Sequence, residues 1–237
     1  KYERSLAIRI KVSGPEHPEL VDVLNNMGSM LQLMGNYPEA QKTLERALAV
    51  GIKALGPEHP QVVMPLLNLA NVQEEVGNYP QARQTFERVV AIWSKALGPE
   101  HPDVALGLSG LGRVQTHLGQ LDTASALLTQ AVALLEKKGP THPYLAAPLL
   151  GQGQWLLARG QPAQAVVPLE RALELARPDA RPLVQFDLAK ALWDSGKDRP
   201  RAVALATQAR AFFLRIGHKP RAAMVSRWLS RHGQPSP

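Results

Sequence analysis

The sequence predicts an all-α solenoid of paired helices, and three observations carry that prediction. A pentapeptide recurs at a nearly constant interval, a turn glycine recurs midway between its copies, and apolar residues keep three-and-four spacing in each interval. Gly-Pro-Glu-His-Pro stands at Gly14–Pro18, Gly56–Pro60 and Gly98–Pro102, and returns as Gly-Pro-Thr-His-Pro at Gly139–Pro143, at intervals of 42, 42 and 41 residues. The turn marker reads Gly35-Asn-Tyr-Pro-Glu-Ala40, Gly77-Asn-Tyr-Pro-Gln-Ala82, Gly119-Gln-Leu-Asp-Thr-Ala124 and Gly160-Gln-Pro-Ala-Gln-Ala165, at the same intervals. A fifth copy, Gly196-Lys-Asp-Arg-Pro-Arg-Ala202, follows after 36 residues and carries one extra residue.

Each interval reads as two helices. Pro18, Pro60, Pro102 and Pro143 fit a first helical position, where a missing N–H costs nothing. Leu20, Val23, Leu24, Met27, Leu31 and Met34 then form one apolar face. Gly35 supplies the left-handed residue that ends a helix. The second helix opens near Pro38, lines up Ala40, Leu44, Ala47, Leu48 and Ile52, and stops at the breaker pair Gly56-Pro57. This pattern predicts repeats over about 18–55, 60–97, 102–138, 143–177 and 182–216 within a single domain, 1–232. A box, Glu45-Arg-Ala-Leu48, recurs at Glu87, Thr129 and Glu170, and its counterpart Glu3-Arg-Ser-Leu6 predicts a partial repeat over 1–13. The chain therefore reads as starting inside a repeat. Residues 220–232 read as a capping helix that covers the last pair with Ala223, Val225, Trp228 and Leu229, and 233–237 as a disordered tail.

Small residues stand at fixed points: Gly28, Ala70, Gly112, Gly153 and Ala189 on the first helices, and Ala40, Ala82, Ala124, Ala165 and Ala202 on the second. Both helices are expected to approach closely there. That placement also removes Gly110-x-Gly112 and Gly151-x-Gly153 as phosphate loops, since they fall mid-helix rather than after a strand.

These residues resemble the tetratricopeptide repeat in its 42-residue form, found in kinesin light chains and many bacterial proteins. The resemblance rests on the Gly-Asn-Tyr turn, the small residues, the Glu-Arg-Ala-Leu box and the Gly-Pro-Glu-His-Pro linker, and covers residues 1 to about 215. It implies a right-handed superhelix of helix pairs whose first helices line a concave groove for peptides or partner helices. Residues 198–232 further resemble the end of tetratricopeptide regions that follow bacterial, notably myxobacterial, serine/threonine kinase domains, although no kinase motif is present. The fourth repeat departs from the pattern in lacking the turn aromatic and carrying Pro162; the fifth enters through Arg177-Pro-Asp-Ala-Arg-Pro182.

Composition closes off several functions. With no Cys among 237 residues, a disulfide scaffold, a thiolate metal site and a Cys nucleophile are excluded. No apolar run approaches the roughly 18 residues of a membrane span, and no signal peptide is visible, so the chain reads as soluble, cytoplasmic and part of something longer. His17, His59, His101 and His142 lie about one repeat apart with no second ligand at helical spacing, which favours packing or capping over metal binding. Glu74 and Glu75 are adjacent and point to different sides of a helix. No catalytic motif appears. The reading is a non-enzymatic scaffold with no metal and no cofactor.

The candidate binding face lies on the first helices: Asn25, Asn26 and Ser29, then Asn68, Asn71 and Glu75, then Ser109 and Arg113, then Gln154, then Lys190. In the resembled family a Leu-Asn-Asn-Leu-Ala box supplies asparagines to the groove. Leu24-Asn25-Asn26-Met27-Gly28 matches both, and Leu67-Asn68-Leu69-Ala70 keeps the second. An asparagine amide donates and accepts, which suits clamping a peptide backbone. The expected partner is a protein or peptide segment, with a cis-regulatory role beside an attached kinase or other catalytic domain as the alternative. Oligomeric state is left open, and no membrane partner is expected. Residues 177–237 hold twelve Lys+Arg against four Asp+Glu, whereas residues 1–176 hold 15 against 16. A nucleic-acid footprint, a solvated cap and a dock for an acidic partner all fit that basic quarter. Scarce aromatics, with Phe212, Phe213 and Trp228 read as core, disfavour nucleic acid.

Overall fold

A linker histidine sets the entry to the first four repeats. In this computed structural model, which describes residues 10–12 and 14–232, the backbone amides of Glu19, Gln61, Asp103 and Tyr144 donate to Nδ1 of His17, His59, His101 and His142 at 3.4, 3.2, 3.2 and 3.2 Å. His59 holds the extended backbone typical of a residue just outside a helix (φ −69°, ψ 137°). Accepting at Nδ1 keeps the ring proton on Nε2. The linker histidines are thus N-terminal caps, with orphan amides as their partners. A fifth one, His218, does the same for the Arg221 amide at 3.3 Å and is 2 % exposed. His59→Ala should cost about 1 kcal/mol, the usual worth of a lost cap, read as a lower urea midpoint at unchanged slope.

Pro102 alone of the four linker prolines opens an α-helix directly. Pro60 and Pro143 open 3₁₀ turns, Pro60–Val62 and Pro143–Leu145, and Pro18 lies in a turn before Leu20. The reason for the 3₁₀ turns is a second proline. Pro65 and Pro148 have no N–H for the carbonyl four residues earlier, so the regular ladder starts later in those two repeats.

By internal packing the chain divides into two compact units, residues 1–107 and 108–237. The first contains α1 (Leu20–Leu33), α2 (Tyr37–Leu55), α3 (Val63–Glu75), α4 (Tyr79–Leu97) and the opening of α5 (Pro102–His117). α1 packs on α2 and α3 on α4, while α3 also touches both α2 and α1. Leu20, Val21, Leu24, Ala47 and Val50 form a buried cluster against which Ile10 packs. Ile10–Val12 are helical, and the rest of the expected partial repeat lies outside the described residues. Gly35 ends the first pair's opening helix at φ 74°, with its amide on the Gln32 carbonyl and the Asn36 amide on the Leu31 carbonyl, the two bonds of a Schellman turn.

The second unit holds the rest of α5, then α6 (Leu121–Glu136), α7 (Ala146–Ala158), α8 (Pro162–Leu175), α9 (Arg181–Asp194), α10 (Arg199–Arg215) and α11 (Lys219–His232). Helices pair as α7 with α8 and α9 with α10, α9 also packs on α8 and α7, and α11 closes on α10. No strand occurs among the described residues. In α11 the buried side chains are Ala222 and Val225, with Trp228 and Leu229 half-buried; Ala223 faces water, one residue out of the expected register. Residues 233–237, expected as a tail, lie outside the described residues.

The repeated motifs meet each other in space. Arg88 of the Glu-Arg box donates to the Pro57 carbonyl of the preceding linker at 2.7 Å, and Arg171 to the Pro140 carbonyl at 3.2 Å. Linker glutamates pair with the lysine near the end of the second helix, Glu16 with Lys53 and Glu58 with Lys95, each at 2.5 Å. The hydrogen bond from Lys95, and then its charge, holds the Glu58 carboxyl below the ordinary carboxylate range. The sign follows: this pair favours folding above the unfolded carboxylate value and stops doing so as pH falls through the lowered one. Being fully solvated, it is a weak contributor.

Candidate functional site

First helices that touch, α1 with α3 and α7 with α9, bring the predicted polar positions into rows. Counting back from the turn glycine, Ser29, Asn71, Arg113, Gln154 and Lys190 share one register, six residues before it. Asn26, Asn68, Gly110, Gly151 and Asp187 share another, nine before it.

In the first unit, Asn68 Nδ2 donates to Asn25 Oδ1 at 2.8 Å, joining α3 to α1 through two half-buried amides. That bond leaves Asn25 its amide protons and Asn68 its carbonyl oxygen as further hydrogen-bonding capacity. The Tyr37 hydroxyl, from the Gly-Asn-Tyr turn, donates to Glu75 Oε2 at 2.8 Å. Asn26 and Ser29 are exposed, and Asn71 is half-buried. Asn68 thus ties two helices together as well as lying on the candidate face.

The second unit repeats the device with different chemistry. Asp187 is 6 % exposed, and Gln154 Nε2 donates to its Oδ2 at 2.8 Å, joining α7 to α9. Lys190 Nζ lies 2.5 Å from the other oxygen, Oδ1, and 5.2 Å above the Phe186 ring. Asp187 was not among the sequence candidates. Its signal was its register, shared with Asn26 and Asn68. Arg113 is half-buried, and its Cγ would sit 3.3 Å from a Cβ at Gly151, so the glycine makes room for the arginine stem. Ser109 is completely buried and its hydroxyl has no hydrogen-bond partner among the described residues. It does not present itself to a ligand.

The first unit offers amides tied across two helices, and the second a buried carboxylate tied to a neighbouring helix by Gln154 and paired with Lys190 of its own helix. Among the described residues no group of three or more His, Cys, Asp or Glu could hold a metal, and no helix is long and apolar enough to cross a membrane.

A family model described as the tetratricopeptide repeat matches residues 1–50, 19–92 and 63–137. This chain belongs to the tetratricopeptide repeat family. The matched windows end before the fourth repeat. Similar solved structures include the nearly identical tetratricopeptide-like repeats of a Podosopora anserina kinesin light chain, 31% identical over 82% of this chain and 95% of that one, TM-score 0.58. BtubC of P. vanneervenii is 19% identical over 100% of this chain and 92% of that one, TM-score 0.62. Bacillus thuringiensis PlcR, in complex with the peptide PapR7 and DNA, is 10% identical over 87% and 74%, TM-score 0.70. The last two likenesses concern the fold. No curated protein matches.

Proposed function

We propose that this tetratricopeptide repeat protein is a non-enzymatic scaffold that captures a peptide or helical segment of a partner along the faces of its first helices. The observation that carries the reading is a polar tie between first helices in each unit, Asn25 with Asn68 in the first and Gln154 with Asp187 in the second. A fixed amide loses little entropy on meeting a ligand and keeps part of its hydrogen-bonding capacity for it. The family's use as an interaction scaffold supports this, as does the peptide held by PlcR.

The test is capture of partners on the immobilised chain, followed by calorimetry with the partner identified. Asn68→Ala with Asn71→Ala should weaken binding, because each hydrogen bond lost to a desolvated backbone group leaves about 1–3 kcal/mol unrecovered. Loss of the Asn25–Asn68 bond should also lower stability by about 1 kcal/mol, partly offset by the better helix propensity of Ala. Unchanged partner binding in this variant sinks the reading.

A further inference from the structure

The second unit has a recess of about 380 Å³ between α9 and α11. Its floor is Phe186 and Trp228, with Met224 beside them 41 % exposed, and its rim carries Lys190, Arg227 and Arg231. Arg227 and Arg231 stand one helical turn apart on the same face of α11. Both are exposed, and among the described residues neither has a carboxylate partner. Lys190 is balanced by Asp187, so the guanidinium pair leaves the recess cationic. This is the quarter of the chain that holds twelve Lys+Arg against four Asp+Glu.

Resting on the reading of first-helix faces as a peptide-binding surface, we infer that this recess docks an acidic segment of a partner protein, with side-chain carboxylates on Arg227 and Arg231 and an apolar side chain on the Phe186–Trp228 floor. Guanidinium forks match carboxylates, through two parallel hydrogen bonds each. Cβ atoms one helical turn apart are separated by about 6 Å, close to the about 7 Å between alternate residues of an extended chain. One strand of peptide therefore meets both arginines. The rings argue against nucleic acid. Trp228 is stacked by His232 at 4.5 Å, and it meets Phe186 and Trp193 edge-to-face at 6.0 and 5.8 Å. They are engaged with one another rather than presented as platforms for bases.

The test uses the full chain and fluorescein-labelled decaglutamate, read by anisotropy in low salt. Arg227→Glu with Arg231→Glu should weaken binding about tenfold or more, and salt should weaken it in the wild type. Arg210→Glu with Arg215→Glu, two charges on α10 that do not line the recess, should leave it within about twofold. Both arginine pairs weakening it equally would mean diffuse charge attraction and overturn the inference. So would absence of decaglutamate binding, or oligothymidine binding at least as tight that vanishes with Arg227 and Arg231. Thermal melts of the variants accompany each titration, and whichever pair melts early is replaced by Gln at the same two positions, Arg227→Gln with Arg231→Gln or Arg210→Gln with Arg215→Gln. Asn68→Ala with Asn71→Ala should bind decaglutamate normally, which separates failure here from failure of the broader scaffold reading.

Discussion

Gly153→Leu is expected to destabilise the second unit by about 3 kcal/mol or more, beyond the usual range of overpacked cores. A Cβ built at Gly153 would lie 2.4 Å from both Cγ and Cδ2 of Leu169 and 3.0 Å from Cδ1. Cγ is the branch point of a side chain with no exposed surface, so it cannot swing aside as a flexible tip would. Even Gly153→Ala sets a gain of about 1 kcal/mol in helix propensity against an overpacking cost of about 1–3 kcal/mol, and should come out destabilising. Leu169→Ala alone should cost about 2–5 kcal/mol through the cavity it leaves. The decisive measurement is the double-mutant cycle of the two alanine variants by urea unfolding. The new methyl occupies space the leucine vacates, so the pair should be more stable than the sum of the singles by at least about 1 kcal/mol. Strict additivity would show that α7 and α8 do not meet at this point.

The same contact shows what could be read from the sequence. Gly28 meets Leu44 and Gly112 meets Leu128 in the same way, at 2.6 and 2.7 Å from Cγ. A small residue at a fixed register opposite a leucine at a fixed register is a one-dimensional signature of helix pairing, and it survives at Gly112 and Gly153, whose turns carry no aromatic. The capping role of the linker histidines was legible for the same reason, because a cap is local. His218 is harder to read because Gly217-His218-Lys219-Pro220 lacks the Pro-Glu step before the histidine and the proline directly after it.

The site was less legible because its chemistry depends on which side chains meet across helices. Periodicity placed Asn25, Asn68, Gln154 and Lys190 on the right helices, yet Asn25 and Asn68 bond to each other from registers one residue apart, and Gln154 reaches a carboxylate from a different register altogether. A sequence row cannot state that tilt. Ser109 illustrates the same limit, being polar, on a first helix and wholly buried. The linker prolines show it at the level of the backbone, where Pro65 and Pro148, not the linkers themselves, separate a 3₁₀ entry from an α-helical one.

Trp228→Ala is expected to detach α11 without unfolding the remainder of the second unit. Trp228 touches Phe186 and Trp193 of α9 edge-to-face and stacks under His232, while only Ala222 and Val225 of the helix are buried outright. Truncating a packed tryptophan costs about 3–5 kcal/mol. Each repeat in such an array is held by its neighbours alone, so that loss falls on the terminal element first. A helix of 14 residues without its docking face is marginal in water. Amide exchange should therefore accelerate across Lys219–His232 and, through loss of the cover over Phe186, modestly in α9, with α7 and α8 still protected. Arg227→Gln with Arg231→Gln should leave the same protection pattern intact, because those side chains lie at the rim and carry no packing. Uniform acceleration through α7 to α11 in the tryptophan variant would show instead that the unit opens as one cooperative block, and that α11 is part of its nucleus rather than its cover.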